Sequence, residues 1–158
     1  MRFGPWEQMS INFLSPSPDF TFQLGEKIGT CLKGDEILLL SGELGAGKTL
    51  LTKGIANAVG IDPDEVVSPS FTLMNRFKGN YSFVHIDLYR LGDETGDRIR
   101  DMGDMDDYIG EGVVVIEWAQ FLDDSYFRLE KAVDIRFRLT PENHRQISIK
   151  KSPDYFKL

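Results

Sequence analysis

The run Gly42-Glu43-Leu44-Gly45-Ala46-Gly47-Lys48-Thr49 fits the pattern G-x-x-x-x-G-K-[ST], and its flanks supply the strand and helix that such a loop needs. Ile37-Leu38-Leu39-Leu40 before it is an apolar run of strand length; Leu51, Ile55, Ala58 and Val59 after it recur at helical spacing. A strand, phosphate loop and helix in that order leave few architectures open, because the strand belongs inside a sheet and the helix must cover it. Gly42 and Gly47 let the backbone wrap closely, and the N–H groups of the loop and helix start form a cradle for anionic oxygens. The candidate cofactor-binding positions are therefore Glu43, Leu44, Gly45, Ala46, Gly47, Lys48, Thr49 and Leu50. Lys48 would neutralise phosphate charge and Thr49 would offer its hydroxyl to Mg²⁺.

The chain has 158 residues, 41% of them apolar, which is enough for one domain with its own core. No apolar run resembles a signal peptide or approaches the length of a membrane span, so a cytoplasmic protein without membrane association is expected. Cys31 is the only cysteine, which excludes an intramolecular disulfide and a cysteine metal cluster. The formal net charge is −7, and residues 92–112 carry most of it. Asp93, Glu94, Asp97, Asp101, Asp104, Asp106, Asp107 and Glu111 there face only Arg98 and Arg100. A chain with an acidic segment and no basic stripe is a poor direct binder of nucleic acid, whose affinity comes largely from neutralising phosphates. The acidic segment reads as a solvated face or as a docking surface for a basic protein.

Along the chain, residues 1–16 are expected to form an N-terminal arm or edge strand, 17–150 the nucleotide-binding domain and 151–158 a loose tail. Ser17-Pro18-Asp19 has the order of an N-cap, a proline in the first turn and an early acid. Phe20, Leu24, Ile28, Cys31 and Leu32 mark one face of the helix that follows, and Gly34 ends it. Residues 72–77 and 82–88 are expected to pair as a hairpin; 93–101 suit a short charged helix, and 103–112 suit irregular chain. Val113-Val114-Val115-Ile116 has the composition of a strand buried on both faces. A helical turn is expected within 123–131, and 133–139 and 145–150 alternate apolar with polar residues as a half-exposed hairpin. This mixture predicts an α/β single-domain P-loop sandwich with a mixed, partly antiparallel central sheet.

Hydrolysis at such a loop needs a further acid at the end of a neighbouring strand, to hold Mg²⁺ or its water. Two acids compete: Glu117 closes the better strand, and Asp87 closes Phe83-Val84-His85-Ile86. Ligands in open α/β sheets gather at strand carboxyl ends, so both could face the same phosphates, one as metal ligand and one positioning water. Ser68, Ser70 and Thr72 place hydroxyls in a loop suited to sensing a terminal phosphate, although an ordinary loop-to-strand transition has the same composition. His85 reads as a packed strand residue, Trp118 as core, and Arg90 as one half of a surface ion pair or a clamp on phosphate.

Four motifs in this order and spacing resemble the small bacterial TsaE (YjeE) family of P-loop ATPases: the loop itself, Ser68-Pro69-Ser70-Phe71-Thr72-Leu73, His85-Ile86-Asp87-Leu88-Tyr89-Arg90-Leu91 and Val115-Ile116-Glu117-Trp118. The resemblance covers about 20–122. It implies an Mg²⁺-dependent ATPase, weak alone, that supports threonylcarbamoyladenosine formation in tRNA by resetting a transferase built from TsaD and TsaB. Contact with tRNA would then be indirect, through that complex. Carried over by position, Lys48 and Thr49 bind phosphate and Mg²⁺, Thr72 lies in a switch-like loop, and Asp87 is a required acid. Glu117 is the Mg²⁺-side acid, Trp118 stands beside the nucleotide, and Thr21 lies near the base. Ser70 stands where the family usually has Thr, Ala119 where it usually has Pro, and the run 103–108 is one residue longer than its counterpart.

Two other classes share the phosphate loop. A small-molecule kinase would need an Arg-rich lid, for which Arg98 and Arg100 in an acidic stretch are the only comparable residues. A non-catalytic module would use nucleotide only to order the Ser68 loop and expose a docking face. A GTPase is disfavoured because no Asn/Thr-Lys-x-Asp run occurs.

Overall fold

The four consecutive large apolar residues Ile37, Leu38, Leu39 and Leu40 are all essentially inaccessible, which requires a strand covered on both faces. A computed structural model describes residues 10–69, 73–92 and 105–158 and places that strand, β2 (Ile37–Ser41), in the middle of a seven-stranded sheet. The others are β1 (Ile11–Ser15), β3 (Met74–Lys78), β4 (Ser82–Asp87), β5 (Val113–Glu117), β6 (Ala132–Leu139) and β7 (Arg145–Lys151). The sheet order is β1-β7-β6-β2-β5-β4-β3. The central strands β6, β2, β5 and β4 run parallel, while β3 joins β4 and β7 joins β6 antiparallel, so the expected mixed sheet is what forms. β1 then adds antiparallel to β7 along the edge.

Side chains alternate across a strand, and the two faces of β2 and β5 enter two different cores. Leu38, Leu40, Val113 and Val115 pack with Leu24 and Ile28 of α1 (Pro18–Cys31) and with Leu51 and Ile55 of α2 (Lys48–Ala58). Ile37, Leu39, Val114 and Ile116 face the other way, against Leu88, Met105, Leu122 and neighbouring aromatic residues. One face is thus covered by two helices, and among the described residues the other is covered by short elements. These are α3 (Met105–Tyr108), within the stretch expected to be irregular, and 3₁₀ turns at Ala119–Phe121 and Asp124–Arg128.

Ser17 starts α1 as its sequence suggests, its side chain accepting the Phe20 N–H at 3.2 Å. α1 and α2 touch through glycine. A Cβ added at Gly54 would lie 2.1 Å from the Phe22 carbonyl oxygen, and one at Gly25 would lie 2.3 Å from that of Leu51. The end of the chain departs from expectation. β7 runs through Lys151, Phe156 is buried in the α1/α2 core, and Tyr155 Oη donates to buried Glu36, so residues 151–158 are anchored rather than loose. The expected helix 93–101, Arg98 and Arg100 lie outside the described residues, as do residues 1–9 of the N-terminal arm.

Candidate functional site

The loop between β2 and α2 turns into the helix at Gly47, whose φ of 100° is in the left-handed region that a side chain would strain. Gly47 is the N-cap and has no side chain to bond the helix start, in contrast to Ser17 on α1. The N–H groups of Lys48, Thr49 and Leu50 therefore remain available to an outside acceptor, where the helix dipole adds partial positive charge. That arrangement suits phosphate-like oxygens.

Lys48 lies back across the loop. Its Nζ donates to the Gly42 carbonyl at 2.8 Å and the Glu43 carbonyl at 2.7 Å, and sits 4.2 Å from the centre of the Trp118 ring. Burial draws the Lys48 pKa below that of an ordinary lysine, against the opposing charges of Glu117, Asp87 and Glu43. Asp87 and Glu117 lie close enough to feel the ammonium group because β4 and β5 end beside the loop that carries Glu43.

In the parallel register of β4 and β5, Asp87 stands opposite Glu117. Glu117 is only 2% exposed, and both its oxygens are engaged. Oε1 accepts from Thr49 Oγ1 at 2.8 Å, and Oε2 meets His85 Nε2 at 2.5 Å. Thr49 Oγ1 also lies 3.0 Å from Ser68 Oγ, so the Ser68 loop reaches the same cluster. Asp87 is half-buried and its Oδ1 accepts the Tyr89 N–H at 2.9 Å. Burial raises the Asp87 pKa; the Tyr89 bond resists this, Glu117 adds to it, and His85 and Lys48 act against it.

Together these groups enclose a cavity of about 530 Å³, within the range of small-ligand sites. Leu44, Gly45, Ala46, Gly47, Lys48, Thr49 and Leu50 form one wall. Asp87 and Arg90 from the end of β4, and Glu117 and Trp118 from the end of β5, form the other. Trp118 lines this wall and also packs, partly buried, against the core on the side of Ile116 and Leu122. Its φ of 60° turns the chain sharply after Glu117, and its ring stacks on Phe121 at 5.8 Å and leans on Tyr89 at 4.9 Å. A bulky residue in that conformation is strained, which is characteristic of functional sites.

Two expected positions are placed differently. The Glu43 carboxylate turns away from the cavity, where Oε1 accepts the Leu139 N–H at 3.0 Å, so this residue serves the site through its carbonyl. Thr21 is buried and does not line the cavity; its hydroxyl lies 2.7 Å from Ser15 Oγ. Its methyl instead backs the loop, 3.5 Å from where a Gly47 Cβ would be. Thr72, like Ser70, lies outside the described residues. Three supporting roles escaped the sequence reading, although His85 is packed in its strand as expected. His85 holds Glu117, Gln120 makes a two-way amide pair with the Gly42 backbone at 3.2 and 3.0 Å, and Arg145 donates to the Gly45 carbonyl at 3.2 Å. The polar character of His85 in an apolar strand was the one available signal.

A glycine-turned loop and uncapped helix at the carboxyl ends of parallel strands define a P-loop NTPase-like α/β fold. The crystal structure of Bacillus subtilis YdiB superposes with a TM-score of 0.72, covering 93% of this chain and 88% of that one at 24% identity. A family model described as Threonylcarbamoyl adenosine biosynthesis protein TsaE matches residues 15–147. The tRNA threonylcarbamoyladenosine biosynthesis protein TsaE of Aquifex aeolicus is 36% identical, over 84% of this chain and 90% of the relative. That of Treponema pallidum is 33% identical, over 86% and 97%. The chain belongs to the TsaE family, as its four motifs implied, and so to tRNA threonylcarbamoyladenosine biosynthesis. No helix among the described residues is long and apolar enough to cross a membrane.

Proposed function

We propose that this protein is an Mg²⁺-dependent ATPase that supports threonylcarbamoyladenosine formation in tRNA by driving the cycle of a TsaD–TsaB transferase. The observation that carries the reading is the 2.8 Å approach of Thr49 Oγ1 to Glu117 Oε1 beside the phosphate cradle. A hydroxyl and a carboxylate are the hard oxygen donors that Mg²⁺ takes when substrate phosphates and water complete its shell. Thr49 and Glu117 would hold the ion. When bound, it would supply charge neutralisation on the phosphate oxygens. Lys48 leaves its two loop carbonyls to pair with phosphate, and the first-turn N–H groups of α2 fix the chain of oxygens in place. Asp87 orients water for attack on the terminal phosphate, and Trp118 limits access of bulk solvent from one side. The contacts that give way when Lys48 moves, at Gly42 and Glu43, transmit occupancy to the outer surface of the loop, where a partner can respond.

Phosphate release measured with purified protein, with and without TsaD, TsaB and tRNA, tests this directly. Lys48→Ala is expected to abolish nucleotide binding, and Glu117→Gln to lower turnover by roughly 10²-fold or more while ATP still binds. Wild-type protein that releases no phosphate even in the complete assembly, or a Glu117→Gln variant with full turnover, overturns the proposal. Equal modification of tRNA with a non-hydrolysable analogue would remove hydrolysis from the role.

A further inference from the structure

His85 is wholly inaccessible, yet it does more than fill space. It lies on β4 two residues before Asp87, on the same face of the sheet as Asp87 and Glu117. Its Nε2 is 2.5 Å from Glu117 Oε2, while its Nδ1 has no hydrogen-bond partner among the described residues. A carboxylate only accepts, so the hydrogen of this bond is on Nε2. Burying a nitrogen without a partner is unfavourable, and a phenylalanine or leucine would occupy the same core without that penalty. What the imidazole adds is one donor, aimed at one oxygen.

We propose that His85 is a positioning residue that occupies Oε2 of Glu117 and thereby commits Oε1 to Thr49 and the magnesium side of the site. His85 itself touches neither nucleotide nor metal. With Thr49 on one oxygen and His85 on the other, the carboxylate is held at both ends and its rotamer is fixed before any ligand arrives. Without His85, Oε2 is buried and unpartnered, and Glu117 gains by rotating away from the orientation a metal requires. Removing a residue that hydrogen-bonds a metal ligand in this way typically costs about 10- to 100-fold in metal affinity.

The inference rests on the Mg²⁺-ATP reading of the site, and the two fail differently in one experiment. ATP is titrated calorimetrically into wild type, H85Q, H85N and H85F, each with Mg²⁺ and again with EDTA, after circular dichroism melts establish folding. Glutamine carries an amide nitrogen to about the reach of Nε2, asparagine stops at about the reach of Nδ1, and phenylalanine fills the volume with no donor. The Mg²⁺-dependent gain in affinity is expected to persist within about threefold in H85Q and to fall roughly 10-fold or more in H85N and H85F, while affinity in EDTA changes less than about twofold. H85F stands in for H85N should the latter not fold, and the reverse. Either loss variant keeping the wild-type gain, or H85Q losing as much as the others, overturns the positioning role alone. A wild type that gains nothing from Mg²⁺ overturns the magnesium reading, and the inference with it.

Discussion

At Asp87 the requirements of the site and of the fold oppose each other. Burial and the nearby Glu117 carboxylate favour the protonated form, so its folded pKa is above the unfolded value. The folded state then binds the proton more tightly, and stability falls as pH rises from the unfolded value through the folded one. Above that window the ionised group destabilises the fold by its full amount; below it the penalty is gone. Asp87→Asn keeps an oxygen for the Tyr89 N–H and removes the charge, so it should melt up to about 3 °C higher at pH 7.5. The half-exposed position limits the gain through solvent screening. Calorimetric scans from pH 7.5 to 4 should show the difference closing in acid; a variant less stable at neutral pH would contradict it. The same substitution is expected to abolish water activation, which would place Asp87 among residues kept for chemistry at the expense of stability.

At the level of elements, the contact of α1 with α2 sets where the phosphate loop ends. A glycine-to-alanine change inside a helix normally gains about 1 kcal/mol. Gly54 should behave in the opposite sense, since its new Cβ would meet the Phe22 carbonyl at 2.1 Å and force the helices apart. Gly54→Ala is expected to cost a net of about 2 kcal/mol or more in urea unfolding, because backbone cannot yield as a side chain can. A stabilised variant would show that the helices slide freely. Much of this layer was legible beforehand. β2 and β5 announced themselves by unbroken apolar runs, α1 by Ser17-Pro18-Asp19, and the loop by its glycines and lysine. Glu117 and Asp87 were readable because each closes an apolar strand. The supporting residues were not, for a physical reason: His85 reaches Glu117 only through the β4–β5 register, and Gln120 reaches Gly42 only after the turn at Trp118. Sequence distance gives no hint of either. The side-chain partner of Glu43 was not readable, because the loop pattern specifies only its backbone and leaves its side chain free to bond Leu139.

For the molecule as a whole, the last residues act as a clasp. Glu36 is buried, which disfavours its charge, but the Tyr155 hydroxyl and the N–H groups of Lys33 and Gly34 outweigh this and hold its pKa below the ordinary carboxylate value. Burial and the same carboxylate push the Tyr155 hydroxyl up. A depressed carboxyl contributes stability above its unfolded pKa and loses it as pH falls through the folded value. Tyr155→Phe should therefore lower stability by about 1–2 kcal/mol at pH 7. The gap should narrow as pH falls below the unfolded Glu36 value of 4.5 and on through its lower folded one, measurable by urea unfolding at pH 7 and at steps downward from pH 4.5. An unchanged midpoint at pH 7 would show the clasp to be idle. Nothing in the aromatic pair at 155 and 156 distinguished it from a loose end, because the Glu36 carboxylate that the Tyr155 hydroxyl reaches is 119 positions away.

The edge pairing of β1 with β7 joins positions 11–15 to 145–149. During synthesis on a ribosome, β1 is made well before the neighbour that pairs with it. The phosphate loop and both covering helices leave the exit tunnel long before that seam can close, so this border of the sheet is completed after the elements it flanks have been made.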